Sequence, residues 1–156
     1  MKKKYKLEIY KYDFQYSSKE EISTVKRALL DVNQKRWQWE YKKSPNEGYA
    51  FLAKINDRVV AHYSFIVCQF YNRKYTIRVA KSEGSFADNN LVRSITDKKV
   101  KVFSEIVVAA MKELKKKNID LVYGFPNNLG HNAYKKGGFE LKIIPLYISL
   151  AIINFL

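Results

Sequence analysis

Residues 97–139, DKKVKVFSEIVVAAMKELKKKNIDLVYGFPNNLGHNAYKKGGF, decide the fold. Val100, Phe103, Ile106, Val107, Ala110, Met111 and Leu114 recur at three- and four-residue spacing. That is a helix with one buried face, running to Lys117. Its closing lysines meet the negative end of the helix dipole, and Asn118 breaks the pattern. Ile119 to Phe125 then has strand composition and stops at Pro126. A polar turn leads into His131 to Phe139, a second, shorter helix. The long helix is therefore a crossover that lays Ile119 to Phe125 parallel to an earlier strand, with right-handed connection.

Upstream the chain reads as hairpins. Leu7 to Tyr10 is a first strand, placed at an edge by its flanking lysines. Ser18 and Glu21 form a capping box ahead of a helix whose inner face is Ile22, Val25, Leu29 and Val32. Gln34 to Tyr41 holds Trp37, Trp39 and Tyr41, as a strand or as a short helix or turn laid over the sheet. Ser44 to Gly48 is a turn. Tyr49 to Ile55, Val59 to Tyr71 and Lys74 to Ser82 make a three-stranded meander, turned at Asn56-Asp57-Arg58 and Asn72-Arg73. Glu83 to Asn90 leaves the sheet, and residues 89–99 carry no regular element. The result is an α+β (α/β) domain on a mixed, mostly antiparallel sheet. Glu140 to Leu150 has strand composition interrupted by Pro145, and the apolar run continues to Leu156. Such an end is expected to pack in the sheet or on a partner or second copy, or to mark a piece of something longer.

The 156 residues suit one domain, and a hydrophobic content of 47% supplies a core. The formal net charge of +14 favours anionic partners: nucleic acid, an anionic surface or a phosphate-rich cofactor. Tyrosines on a sheet can stack bases, but no helix concentrates arginines, so nucleic acid stands behind the other readings. The lone Cys68 excludes an internal disulfide framework and, with no leader pattern, points to the cytoplasm. The apolar end is too short to span a bilayer, so no transmembrane segment is expected. Two histidines without ligand spacing argue against a metal site. No Walker loop or dinucleotide fingerprint occurs.

Four stretches together carry a resemblance. They are Trp37-Gln38-Trp39-Glu40-Tyr41 with Pro45 and Gly48, VVAHYS at Val59 to Ser64, DLVYGFPN at Asp120 to Asn127, and AYKKGGF at Ala133 to Phe139. The chain resembles the GCN5-related N-acetyltransferase superfamily over residues 35–147, and within it a bacterial polysaccharide-biosynthesis-like branch. The resemblance implies a twisted sheet with helices on both faces, splayed between two central strands, with acetyl-CoA in the split. It implies that the pyrophosphate rests on the loop Lys98-Lys99-Val100-Lys101-Val102-Phe103, where an anion meets free amides at a helix start. This chain has lysine or valine where that family carries glycines. It further implies an acyl carbonyl polarised by a backbone amide around Ala80, Lys81 and Ser82, and side-chain amides of Asn127 and Asn128 at the cofactor. Tyr134 matches the tyrosine that protonates the leaving thiolate. Glu83 and Asp88, at the end of the bordering strand, are the candidate bases for an amine acceptor; either can instead cap the following loop. The expected activity is transfer of an acetyl group to a small-molecule or sugar amine. A module of the same fold without a working cofactor site is the alternative.

Overall fold

In the computed structural model the described residues are 5–12, 18–28, 39, 43, 45–71, 73–96, 100–125 and 130–140, with 26–28 described by backbone alone. Nine elements follow in order: β1 (Leu7–Lys11), α1 (Lys19–Ala28), β2 (Gly48–Ile55), β3 (Arg58–Tyr71), β4 (Thr76–Ala87), α2 (Asn89–Thr96), α3 (Val102–Lys116), β5 (Leu121–Tyr123) and α4 (His131–Lys136). The strands form one sheet in sequence order. β1 to β4 are antiparallel neighbours, and β5 runs parallel to β4. The meander and the crossover are those expected from the hydrophobic patterns.

Alternation along β2 divides the core. Tyr49, Phe51 and Ala53 face α3 and α4, while Ala50 and Leu52 face α1 with Val25. Helices therefore cover both faces. The capping box forms: Ser18 N–H donates to Glu21 Oε2 at 2.8 Å and Glu21 N–H to Ser18 Oγ at 3.2 Å. Asn56 and Asp57 take the left-handed conformation that a tight hairpin between β2 and β3 needs.

Both helices of residues 97–139 end alike. Asn118 has φ 54°, and Ile119 N–H reaches back to Leu114 O at 3.3 Å. Gly138 has φ 89°, Phe139 N–H donates to Tyr134 O at 3.1 Å, and Gly138 N–H to Lys135 O at 3.1 Å. These are Schellman closures, and at α4 the accompanying hydrophobic contact is the Phe139 ring on Tyr134, 5.0 Å between centroids. The two adjacent glycines serve different ends. Gly138 supplies the left-handed turn. A Cβ on Gly137 would lie 2.4 Å from Val107 Cγ1, so Gly137 lets α4 dock against α3.

Three expectations are corrected. β4 does not end at Ser82 but continues to Ala87. Its sequence resembles a loop there because the strand is bulged: Ser64 pairs with Glu83 and His62 with Phe86, leaving Gly84 and Ser85 together opposite Tyr63. Residues 89–96 form a helix. Asp88 caps it, accepting from Leu91 N–H through Oδ1 at 2.9 Å and from Val92 N–H through its carbonyl at 3.0 Å, while Leu91, Val92 and Ile95 pack on the core. The strand expected over Ile119 to Phe125 is only three residues long, because Ile119 is used in closing α3. The expected elements at 34–41 and 140–150 lie outside the described residues, apart from Trp39, which is exposed, and Glu140.

Candidate active site

The site lies where β4 and β5 part. The parallel ladder holds three pairs, Val79 with Leu121, Ala80 with Val122 and Lys81 with Tyr123. Beyond it β4 runs on for six residues with, among the described residues, only β3 paired to it. Gly124 sits at the fork: a Cβ there would come within 2.8 Å of Ser82 Cβ. Of the residues expected to meet an acyl carbonyl, Ala80 and Lys81 are therefore inside the ladder and Ser82 is the first past it.

Ser82 meets Tyr134. Their hydroxyl oxygens are 3.1 Å apart, although the residues are 52 apart in sequence. The α4 helix brings Tyr134 there, and its ring is wedged edge-on among Tyr63, Phe103 and Phe139 at 5.0–6.0 Å. Tyr134 is 4% exposed. Tyr63 is fully buried, and its hydroxyl has no hydrogen-bond partner among the described residues. Leaving such a group unpaired costs about 1–3 kcal/mol.

Phe103 links this cluster to the start of α3. The helix begins after Lys101, and no side chain caps it. The first-turn amides of Val102, Phe103 and Ser104 are thus without intrahelical acceptors, at the positive end of a 15-residue helix. Val102 is buried in the core, Val100 and Phe103 pack against it, and Lys101 is exposed. The described side chains of this loop are thus turned into the core or out to solvent. That arrangement is compatible with an anionic group on the helix start. Lys98, Lys99, Asn127 and Asn128 lie outside the described residues.

The bulge is held by side chains that the sequence argument did not single out. His62 Nδ1 donates to Gly84 O at 2.5 Å, and Ser64 Oγ donates to Glu83 O at 3.0 Å. His62 is fully buried, and burial pulls its imidazole from 6.5 down to about 4. It is neutral at pH 7 and acts as a fixed donor. Gly84, at φ 55°, provides the kink. The available signal was alternation along VVAHYS, which puts His62 and Ser64 on one face of β3, opposite Tyr63.

Of the two candidate bases, Glu83 lies on the bulged part of β4 and forms an ion pair with Lys81. Asp88 is the cap of α2 described above. Cys68 Sγ lies 3.6 Å from Val79 O within the sheet. Among the described residues no group of histidine, cysteine and carboxylate side chains can hold a metal, and no helix is long and apolar enough to cross a membrane.

No family model and no curated protein matches the chain. Solved structures do. Glucosamine-6-phosphate N-acetyltransferase from Arabidopsis thaliana aligns with TM-score 0.64 at 14% identity, over 94% of this chain and 99% of that one. A predicted acetyltransferase from Clostridium acetobutylicum, solved with acetyl-CoA, gives 0.65 at 16% identity over 92% and 96%. AAC(6')-Iy, in complex with the bisubstrate analogue CoA-S-monomethyl-acetylneamine, gives 0.68 at 11% identity over 94% and 99%. At such identities the likeness is one of architecture, and the architecture is that of the GCN5-related acetyltransferase, acyl-CoA N-acyltransferase-like fold.

Proposed function

We propose that the protein is an acetyl-CoA-dependent N-acetyltransferase acting on the amine of a small molecule. The observation that carries this is the fork itself. A parallel β4–β5 ladder stops after three pairs, and the two hydroxyls of Ser82 and Tyr134 meet at the opening. The uncapped start of α3 lies next to them through Phe103. Acetyl-CoA, when bound, supplies the acetyl thioester. Its phosphates are assigned to the first-turn amides of α3, with Lys98, Lys99 and Lys101 adding charge and Asn127 and Asn128 adding side-chain amides. Glu83 takes the proton released by the amine as it becomes an amide. Tyr134 gives its proton to the leaving sulfur, and Ser82 holds the Tyr134 hydroxyl in place. The backbone of the splayed part of β4, from Ser82 onward, polarises the carbonyl. The three structural neighbours support the reading, since two were solved with acetyl-CoA or a CoA bisubstrate analogue and one is a glucosamine-6-phosphate enzyme. A sugar amine is the acceptor class we favour, in the cytoplasm.

One observation favours a second reading, a binding module of the same fold without a cofactor. The helix start carries lysine and valine in place of glycines. Isothermal titration with acetyl-CoA separates the two. Micromolar binding, followed by thiol release in the presence of an amino-sugar panel, is the expected result. No heat at millimolar acetyl-CoA sinks the transferase and leaves the module.

A further inference from the structure

Tyr63 heads the fully buried side chains by volume, and its hydroxyl stands out among the described residues as a buried side-chain polar atom without a partner. Other deeply buried polar groups are paired: His62 with Gly84, Ser64 with Glu83 and Thr96 with Val92. A phenylalanine would fill the same space and leave nothing unpaired. The hydroxyl is nevertheless not aimed at random. The groups that act on it are Tyr134 and Ser82, and the two tyrosine rings meet edge to face at 5.9 Å. It lies within reach of both hydroxyls, yet among the described residues it has no partner at good hydrogen-bond geometry. Burial, with Tyr134 alongside, holds the Tyr63 phenol well above its ordinary range, so it keeps its proton.

We infer that Tyr63 is a positioning residue for Tyr134, its hydroxyl a donor kept unpaired for the Tyr134 oxygen when that oxygen becomes anionic. The inference rests on the acetyl-transfer reading above. As the carbon–sulfur bond breaks, its electron pair goes to sulfur and the Tyr134 proton follows. The Tyr134 oxygen is left with a negative charge in a buried pocket. Ser82 Oγ, 3.1 Å away, can turn its proton to that oxygen and give it one hydrogen bond. Tyr63 keeps its own proton and turns it toward the same oxygen. A donor to an anion is worth roughly twice a donor to a neutral oxygen. The unpaired resting state thus makes the contact stronger in the transition state than in the ground state, which is the condition for accelerating a reaction. The proton that Glu83 takes from the amine passes to solvent, and solvent restores Tyr134.

The test is Tyr63→Phe in the full chain, read three ways. The thermal midpoint of the ligand-free protein should be unchanged or higher. Turnover should fall about 10-fold or more, with KM for acetyl-CoA within about 3-fold, and Tyr63→Phe/Tyr134→Phe should be no slower than Tyr134→Phe alone. By calorimetry, the preference for coenzyme A over its desulfo analogue should narrow at least ~3-fold, because negative charge shared between the thiolate and the Tyr134 oxygen calls in the Tyr63 donor; a packing role leaves that preference alone. A lowered midpoint means the hydroxyl is paired at rest and overturns the inference. So does wild-type turnover with an unchanged sulfur preference. A wild-type protein that binds neither coenzyme A nor acetyl-CoA overturns this inference and the transferase together, whereas a working wild type with an indifferent variant overturns this inference alone.

Discussion

The two halves of β4 are built on opposite plans. Thr76 to Lys81 is held by backbone. It pairs with β3 throughout and with β5 from Val79 onward. Arg78 adds further ties: its N–H donates to Asp120 Oδ2 at 2.8 Å, it accepts from Asp120 N–H at 2.9 Å, and its guanidinium donates to Lys117 O and Glu47 Oε2 at 2.5 Å each. Ser82 to Ala87 has one strand neighbour and a bulge, and side chains do the holding. His62 and Ser64 take the carbonyls of Gly84 and Glu83 from the β3 side. On the side toward β5 no strand pairs with it among the described residues. Under the proposed function this backbone faces a ligand and cannot be tied by a second strand, so it is fixed from behind. The first half can be altered at many surface positions with small effect; the second depends on a few buried atoms.

The sharpest break falls on His62. Its folded-state pKa, about 4, lies below the ordinary 6.5 because of burial. Above about pH 6.5 the imidazole is neutral in both states and the full stability is present. As pH falls toward 4 the unfolded chain takes up a proton that the folded chain refuses, so stability is lost over that window. At about 1.36 kcal/mol per pKa unit the loss is roughly 3 kcal/mol. Urea unfolding of wild type and His62→Gln between pH 7 and pH 4 checks this. The variant should be about 1–3 kcal/mol weaker at pH 7, with the Gly84 carbonyl poorly satisfied, and should lack the extra acid slope. Parallel pH curves would mean that the ring is open to water.

The docking of α4 is the next lever, since it carries Tyr134 to the second half of β4. Gly137→Ala puts a methyl against Val107 and should cost about 1–3 kcal/mol as overpacking. Adding Val107→Ala should recover part of that, a coupling of at least ~0.5 kcal/mol in a thermal or urea double-mutant cycle. Gly138→Ala meets no atom within 4 Å and tests the φ of 89° alone, at about 1 kcal/mol. Additive effects of Gly137→Ala and Val107→Ala would place the two helices farther apart than described.

Tyr134→Phe keeps every ring contact and removes the hydroxyl. Turnover should drop at least ~10-fold, with acetyl-CoA affinity changed by less than about 1 kcal/mol. Losing the bond to Ser82 should cost stability about 1 kcal/mol. An unchanged turnover would leave Tyr134 as a packing residue of the bulge.

The contrast also explains what could be seen in the sequence. The first half of β4, the meander and the crossover follow from hydrophobic period, because backbone ladders demand regular alternation. AYKKGGF is legible as a helix end because Gly137 and Gly138 are needed for contact and for φ. The second half of β4 reads as a loop in the sequence, since Glu83-Gly84-Ser85 has the composition of a turn and a bulge breaks the two-residue period. Residues 89–96 hid a helix whose signals, Asp88 as cap and Leu91, Val92 and Ile95 as inner face, are short. Tyr134 and Ser82 stood out through a motif and a strand end. His62, Ser64 and Tyr63 did not, because a buried polar residue in an apolar strand shows its purpose only with its partner across the sheet.

The smallest effect is expected at the last residue of this region, and it decides between two carboxylates. Asp88 and Glu83 were equal candidates as the base. Asp88 Oδ1 accepts the Leu91 amide, and Asp88 N–H donates to Val60 O at 2.8 Å, so the residue closes β4 and opens α2. Asparagine caps a helix as well as aspartate does, whereas alanine costs about 1 kcal/mol. If Asp88 is a cap alone, Asp88→Asn should match wild type in thermal midpoint and turnover. Asp88→Ala should lose about 1 kcal/mol while turnover in the folded fraction holds. Glu83→Gln, which keeps the side-chain shape and removes the base, should instead lower turnover about 100-fold at constant fold. A slow Asp88→Asn with an unchanged midpoint would reverse the assignment. It would also move the chemistry past the bulge, to the far end of the second half of β4.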